Sequence, residues 1–88
     1  MARGILFSPK AWDDFLYWLE QDPSITKRLT ELLKECQRDP FKGLGKPEGL
    51  RGNFKGWWSR RINDEHRLVY AARGDFIEVA QCRYHYAK

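Results

Sequence analysis

Histidine is the side chain that most often moves protons near neutral pH, and this 88-residue chain has two, His66 and His85. His85 stands in the run Cys82-Arg83-Tyr84-His85-Tyr86, which combines cationic, aromatic and titratable side chains. Arginine binds phosphate, tyrosine stacks on bases or donates a proton, and histidine can protonate a leaving oxygen. The run is therefore suited to phosphodiester chemistry. The alternative is structural: the tyrosines complete a sheet and His85 points to water.

Glu48 is a carboxylate inside the basic loop, two residues after Lys46 and three before Arg51. Cationic neighbours favour its ionised form, which makes it an available though weak base. The alternative is an ordinary solvated glutamate in a loop. The paired acids Asp13-Asp14 and Asp64-Glu65 lie beside a helix start and a turn, where acids are common.

Metal and redox chemistry find no support in the sequence pattern. Carboxylates do not cluster, and Cys36 and Cys82 lack the spacing of a zinc site or a redox pair, so we expect two buried thiols and neither metal nor cofactor. The length predicts one domain over residues 1–88. Apolar stretches are too short for a membrane span or a signal peptide, so a cytoplasmic protein without membrane contact is expected.

Positive charge is concentrated in the second half of the chain. Residues 1–41 carry six Lys/Arg and seven Asp/Glu, a net −1, whereas residues 42–88 carry ten Lys/Arg and five Asp/Glu, a net +5. A basic half favours a polyanion such as RNA or DNA. A solvated basic face is an equally good interpretation of charge alone.

Two helices are predicted to support these groups. Ser8-Pro9 and Asp22-Pro23 each combine a capping side chain with a proline, the pattern of a helix start. The first helix should turn one apolar stripe to the core, with Asp13 and Asp14 off it. That stripe consists of Trp12, Phe15, Leu16 and Leu19, and the matching face of the second helix of Ile25, Leu29, Leu32, Leu33 and Cys36. Asp39-Pro40 should end the second helix.

Strands account for the rest of the regular structure. They are predicted at residues 4–7, 57–62, 66–72 and 76–84. Residues 42–56 hold five of the seven glycines and should be irregular, with one short strand around Leu50. The order β-α-α-β-β-β predicts an α+β domain in which a helical hairpin packs on one face of an antiparallel sheet. The other face would be left for function.

The turn at residues 63–65 sets the register of one hairpin. If its loop is three residues long, Arg61 lies directly opposite Arg67. Like charges opposed in this way destabilise a sheet, so the pair makes sense if an anion binds between them. A shifted register that separates the two arginines fits the sequence equally well.

Five blocks in chain order carry a far more specific signal than any single motif. They are AWDDFLYW (11–18), DPFKGLGKPE (39–48), GWWSRRI (56–62), EHRLVY (65–70) and CRYHY (82–86). Together they resemble YoeB-type toxins of the RelE superfamily, which belong to bacterial toxin–antitoxin systems. The resemblance implies a RelE-like fold and a ribosome-dependent mRNA endonuclease that acts in the ribosomal A site. It also implies a cognate antitoxin of the YefM or Phd type, the ribosome and mRNA as partners, and a homodimer.

The resemblance also assigns roles by matching position. Glu48 would be the general base and His85 the general acid, Arg67 would stabilise the transition state, and Tyr86 would shape the site near the scissile phosphate. On a straight strand His85 and Tyr86 point to opposite faces. They can therefore share a pocket only if the chain leaves the strand there.

Phosphate contacts follow in the same way. Arg51 and Arg61 match family positions that hold substrate phosphates, and Lys46 and Arg83 are further basic candidates for contact with RNA. The chain departs from the family pattern at Gly49, where proline is common, and in ending with Ala87-Lys88 after the tyrosine. Gly49 is expected to loosen the loop that carries the base, and the two extra residues either restrict the pocket or point away.

Two rival functions come from other classes. One is a toxin of the same fold that inhibits a protein such as DNA gyrase, which would need neither Glu48 nor His85. The other is a module that binds RNA or the ribosome without cleavage. That module would explain the charge and the aromatic residues but not Glu48, which should repel RNA.

Overall fold

The computed structural model describes residues 3–85, and its elements follow the predicted order. They are β1 (Gly4–Phe7), α1 (Pro9–Gln21), α2 (Pro23–Arg38), β2 (Glu48–Gly49), β3 (Trp58–Arg61), β4 (Arg67–Arg73) and β5 (Phe76–Gln81), with a 3-10 turn at Gly52–Phe54. The short strand expected around Leu50 is formed just before it. The last strand ends at Gln81 and not at residue 84. Within residues 3–85, neither helix is long and apolar enough to cross a membrane.

All five strands form one sheet in the order β1-β5-β4-β3-β2. The three pairings β2–β3, β3–β4 and β4–β5 are antiparallel, as predicted. β1 pairs with β5 in parallel, so the prediction of a wholly antiparallel sheet is wrong at this edge. Only a tight turn forces two strands to be antiparallel, and β1 reaches β5 through the rest of the chain. The α+β class is confirmed.

Both helices begin where the capping pattern predicts. Ser8 Oγ accepts the Ala11 N–H at 3.0 Å and donates to the Ala80 carbonyl at 2.8 Å, so this cap also joins α1 to β5. Asp22 caps α2 by accepting from the amides of Ser24 and Ile25. The Ser24 hydroxyl also donates to this carboxylate. It lowers the pKa of Asp22 most, and the two amides lower it further, because all three hydrogen bonds stabilise the ionised side chain.

The predicted inner face of α1 is confirmed at Phe15, which packs against the core, and is wrong at its other three positions. Trp12, Leu16 and Leu19 are 47%, 41% and 52% exposed, whereas Asp14 and Trp18 are buried. The helix is turned so that Asp14 and the Trp18 indole can bind the main chain of β5's extension at Cys82. The helical period does not contain this information, because it weighs apolar area and not a specific hydrogen bond.

The face of α2 is predicted correctly and supplies much of the core. Leu29, Leu32, Leu33 and Cys36 are buried against the sheet, and Ile25 packs at the margin. The sheet contributes alternate side chains of β4 and β5 to the same core. Those in the core are Leu68, Tyr70, Ile77 and Val79.

A buried arginine ties the irregular segment after α2 to this core. Arg60 on β3 is 0% exposed. Its guanidinium donates to the carbonyls of Leu44 at 2.6 Å, Asp39 at 2.6 Å and Lys42 at 2.9 Å. Its Nε donates to the Tyr70 hydroxyl at 3.0 Å. The cation therefore replaces its hydration with the main chain of the loop, as burial of a charge requires.

The same loop is fixed at its other contacts. The Tyr70 hydroxyl donates to the Pro40 carbonyl at 2.6 Å, and the Arg61 amide donates to the Gly45 carbonyl at 2.7 Å. Gly45 has a φ of +86°, and a Cβ there would come within 2.7 Å of Leu32 and 3.1 Å of Arg60. Glycine is therefore needed for both conformation and space. Glu48, three residues later, starts from an anchored chain.

Replacement of the buried arginine should destabilise the whole domain. Arg60→Met leaves three loop carbonyls without their donor, so we expect the free energy of unfolding to fall by about 3 kcal/mol. Arg61→Met, on the exposed side of the same strand, is the matched control and should change it by less than about 0.5 kcal/mol. Urea unfolding followed by tryptophan fluorescence measures both, and equal stability of the two variants would contradict the role given to Arg60.

The two thiols should be chemically inert in the folded protein. Burial raises the pKa of Cys36 to about 11 and that of Cys82 to about 12. Near neutral pH both therefore stay protonated, and the thiolate is the reactive form. We expect iodoacetamide to modify neither cysteine in the native protein and both after unfolding in urea, as counted by mass spectrometry. Fast modification of the folded chain would contradict this.

Candidate active site

One row of residues crosses the sheet on the face opposite the helices. Glu48 pairs with Ser59, Ser59 with Val69, and Val69 with Gln81. Residues directly opposite each other in antiparallel strands project to the same face. Tyr70, which follows Val69, packs in the core, so the row faces away from the helices. Ser59 and Val69, in the middle of the row, are nevertheless buried, whereas Glu48 at its end is exposed.

The neighbouring row contains the predicted arginine pair. Arg61 lies directly opposite Arg67, and the unshifted register is confirmed. Glu48 is a diagonal neighbour of Arg61, because its partner Ser59 precedes Arg61 by two residues; such neighbours are about 7–8 Å apart. Within residues 3–85 neither arginine forms an ion pair. Two opposed cations without a carboxylate make a position that an anion can stabilise.

The turn of the hairpin holds Arg67 in place. One terminal nitrogen of its guanidinium donates to the carbonyl of Asn63 at 2.6 Å and to that of His66 at 3.1 Å. The Arg67 side chain is half-buried, whereas Arg61 is exposed. The pair therefore combines a tethered cation with a more accessible one.

The segment after β5 brings His85 beside this pair. The Arg67 amide donates to the Tyr84 carbonyl at 3.0 Å, and His85 is the next residue. The Gln81 side chain donates to the carbonyls of Arg83 at 3.2 Å and His85 at 3.1 Å. Tyr84 has a φ of +66°, so the chain has left the extended conformation here. Departure from the strand is the condition that the sequence set for His85 and Tyr86 to share a site; Tyr86 itself, like Ala87 and Lys88, lies outside the described residues.

The two histidines occupy different environments. His85 is exposed at the margin of the outer face. His66 is 7% exposed, and its Nδ1 accepts the Tyr84 amide at 2.7 Å. Its ring meets Trp18 edge-on, with centroids 4.8 Å apart. Of the two, His85 is the one that a substrate can reach.

Taken together, a carboxylate and an imidazole flank a pair of cations. Glu48 lies on β2 and His85 follows β5, so three strand spacings, about 14 Å of backbone distance, separate them. The arginines lie on the two strands between them. An anion bound at the arginine pair would have a potential base on one side and a potential acid on the other.

The remaining basic candidates divide into two groups. Lys46 and Arg51 are exposed on either side of Glu48. Arg83 is half-buried, and its guanidinium lies 3.5 Å over the Tyr17 ring of α1 and 4.6 Å from the Tyr84 ring. Cation–π contacts of this kind hold Arg83 against the helix.

Gly49 is less permissive than its residue type suggests. It pairs with Trp58 in the β2–β3 ladder, and the following amide, that of Leu50, donates to the Trp57 carbonyl at 2.9 Å. A Cβ at Gly49 would meet the Trp58 ring at 3.6 Å, an ordinary contact. Glu48 is thus carried on a paired strand and not on the loosened loop that the sequence suggested.

Sequence reasoning missed the residues that support this site. Arg60 was overlooked, although two successive arginines on a strand must face opposite sides, so one of them has to meet the core. Asp14 was taken for a surface acid. For His66, only the residue type suggested a role. The roles of Asp14 and His66 have no local sequence signal, because each depends on a partner far along the chain.

Across residues 3–85, histidine, cysteine, aspartate and glutamate side chains do not gather in threes or more at any point that could bind an ion.

Comparison with known proteins extends the resemblance noted in the sequence. Residues 7–86 match the family model of the YoeB-like toxin of bacterial type II toxin-antitoxin systems. The chain is 55% identical to Toxin RelK of Mycobacterium tuberculosis over 84 residues, which is 96% of this chain and 99% of the relative. It is 54% identical to Toxin YoeB of Escherichia coli K12 over 82 residues, 93% and 98% of the two chains.

Solved structures agree with these sequence matches. The YoeB dimer from Staphylococcus aureus superposes with a TM-score of 0.90 at 45% identity, covering 98% of this chain and 100% of the other. The YoeB–YefM complex from the same organism gives 0.89 at 44% identity with the same coverage. Both the fold and the sequence therefore assign this chain to one family: it belongs to the YoeB-like toxins of bacterial type II toxin–antitoxin systems.

Proposed function

We propose that this toxin is an endoribonuclease that cleaves mRNA in the ribosomal A site and so inhibits translation in the cytoplasm. The observation that supports this best is the Arg61–Arg67 pair with Glu48 on one side and His85 on the other. A scissile phosphate neutralised by the arginines would lie between a proton acceptor and a proton donor. Such a pair of groups can cleave RNA without a metal or cofactor, because the RNA supplies its own nucleophile.

The reaction is a transfer within the RNA. Glu48 accepts the proton of the 2′-hydroxyl, and the 2′ oxygen attacks the adjacent phosphorus. The bond between phosphorus and the 5′ oxygen breaks, and His85 in its protonated form gives that oxygen a proton. The products are a 2′,3′-cyclic phosphate, or the 3′-phosphate that its hydrolysis yields, and a 5′-hydroxyl. One proton has moved onto Glu48 and one has left His85, so charge and atoms balance.

The two arginines stabilise the negative charge that accumulates on the phosphate oxygens. Arg67 is already tethered to the hairpin turn, so it can stabilise the transition state without being reorganised. Arg61 adds a second cation from the opposite strand. In this scheme Tyr86 shapes the site near the scissile phosphate, while Lys46, Arg51 and Arg83 hold flanking phosphates. Of these last three, Arg83 is the one already engaged, over Tyr17.

The need for a ribosome follows from the weakness of the base. General acid–base catalysis contributes about a hundred- to ten-thousand-fold per group, and less when the base is a carboxylate. Holding the 2′ oxygen in line with the leaving oxygen can contribute as much again or more. An exposed, shallow site on a sheet cannot impose that geometry alone, and mRNA held by the ribosome would arrive with it.

Partners are inferred from the relatives. The Staphylococcus aureus YoeB is known both as a dimer and in complex with YefM. We infer that this chain likewise forms a homodimer and is bound by a YefM-type antitoxin. The exposed Trp12, Leu16 and Leu19 of α1 are consistent with such contacts, because clustered apolar side chains at a surface mark protein interfaces.

Substitution of the three central groups tests the chemistry. We expect Glu48→Gln, Arg67→Ala and His85→Ala each to lower mRNA cleavage in a translation extract by at least about a hundredfold, since each removes one reacting group. The measurement maps mRNA 3′ ends with and without ribosomes. Glu31→Gln and Arg73→Ala serve as matched controls on exposed positions and should cleave at the native rate.

Outcomes that contradict the proposal are distinct. Full cleavage by all three variants would remove the assigned roles. Inhibition of a topoisomerase without RNA cleavage would favour a protein-binding toxin. Tighter RNA binding by Glu48→Gln, with no cleavage by any form, would favour a simple binding module.

Independence from metal on the toxin is a second test. The toxin is treated with a chelator, desalted and added to pre-assembled ribosomes that carry mRNA. We expect an unchanged cleavage rate, because both proton transfers use side chains of the chain itself. Loss of cleavage that returns when a divalent ion is restored to the toxin would contradict this chemistry.

A further inference from the structure

The segment that follows β5 is held at two successive points by buried polar groups. At the first, the Cys82 amide donates to Asp14 Oδ2 at 3.0 Å, and the Cys82 carbonyl accepts from Trp18 Nε1 at 2.8 Å. Both partners belong to α1, and both are buried. The main chain is therefore fixed on the helix side before it reaches the outer face.

The second point is Tyr84, which is held by His66 and by Arg67, the first residue of β4. The Tyr84 amide donates to His66 Nδ1 at 2.7 Å, and the Tyr84 carbonyl accepts from the Arg67 amide at 3.0 Å. Tyr84 has a φ of +66°, a conformation that bulky L-residues adopt only when their surroundings impose it. His66 supplies the hydrogen bond on the N-terminal side of this strained residue.

The surroundings of His66 define its hydrogen-bonding state. Because Nδ1 accepts, a neutral ring must carry its hydrogen on Nε2, which lies 3.6 Å from the Glu65 carboxylate. The ring is buried between Trp18, at a centroid distance of 4.8 Å, and Tyr84, at 5.8 Å. His66 Nδ1 is therefore a buried acceptor in a fixed tautomer, and it is already bound to a main-chain amide. Substrate cannot reach it.

We propose that His66 is a positioning residue for His85: its Nδ1 holds Tyr84 in the left-handed conformation that sets the next residue beside Arg67. This inference rests on the proposed function, in which His85 is the acid. If Tyr84 relaxed to an extended conformation, the following side chain would be redirected, because successive residues of an extended chain point to opposite sides. His66 therefore acts on cleavage through His85 and has no contact with the RNA.

Two substitutions whose side chains match each other in shape separate this role from simple packing. Leucine and asparagine have the same branched shape, but asparagine Oδ1 lies as many bonds from Cα as histidine Nδ1 and can accept the Tyr84 amide, whereas the leucine methyl cannot. His66→Leu keeps an apolar filling beside Trp18, and His66→Asn keeps the acceptor. A packing role predicts that leucine is the better replacement; a positioning role predicts asparagine.

The experiment measures single-turnover cleavage of ribosome-bound mRNA against ribosome concentration. For His66→Leu we expect the rate at saturation to fall by about a hundredfold with little change in the half-saturating concentration, since a small misplacement of a reacting group has that effect. His66→Asn should return close to the native rate. The double variant His66→Leu/His85→Ala should be no slower than His85→Ala alone, because both changes disable the same group.

A second readout does not depend on cleavage. In ¹⁵N NMR spectra, the imidazole shifts of the native protein should identify an Nε2–H tautomer at His66. The amide signals of Tyr84 and His85 should move in His66→Leu and stay near their native positions in His66→Asn. Leu33→Val, a buried change on α2, is the control for lost stability and should lower the melting temperature without moving these signals.

The outcomes distinguish the two proposals. A native rate for His66→Leu, or a double variant slower than His85→Ala, would overturn the positioning role while leaving the proposed function intact. If the native chain does not cleave mRNA at all, the proposed function fails, and with it the catalytic purpose of the hydrogen bond. Unmoved Tyr84 and His85 signals in His66→Leu would overturn the structural claim by themselves.

Discussion

A guanidinium removed from water must exchange its hydration for hydrogen bonds, and Arg60 makes that exchange with main-chain carbonyls of the segment between α2 and β2. No carboxylate of residues 3–85 forms an ion pair with it. The buried charge therefore organises backbone. The carbonyls of this loop reach the Arg60 guanidinium in only one arrangement, so residues 39–45 are held in a single conformation. The short strand β2, which carries Glu48, begins from that fixed point.

The two ends of the candidate site are thus secured by different means. Glu48 depends on a cation in the core and on ladder pairing with Ser59. His85 depends on Asp14 of α1 and on His66, which immediately precedes β4; these side chains bind the main chain at Cys82 and Tyr84. Both supports converge on β3 and β4, the strands that carry the arginine pair. The candidate site is consequently built on paired strands that are tied to the core, which is the kind of support that precise positioning of side chains needs.

The outer face combines stability with an unfavourable local feature. Opposed arginines weaken a sheet, and here they lie at the turn end of the β3–β4 hairpin, where the carbonyls of Asn63 and His66 partly compensate the charge of Arg67. The stabilisation that remains available is the one a bound anion can give. A basic surface of this kind favours polyanions and acidic partners alike.

The sequence by itself determined every feature whose cause is local. Capping side chains with prolines located both helix starts, and the apolar period of α2 located its buried face. The register that opposes Arg61 and Arg67 was one of two that the sequence allowed, and the structure decided between them. The family resemblance linked Glu48 to His85. Only the tertiary structure decided the parallel edge strand, the buried face of α1, and the tasks of Arg60, Asp14 and His66. Each of these depends on one hydrogen bond or pairing between residues distant in the chain, and neither periodicity nor residue type encodes which distant main-chain group a buried polar side chain will meet.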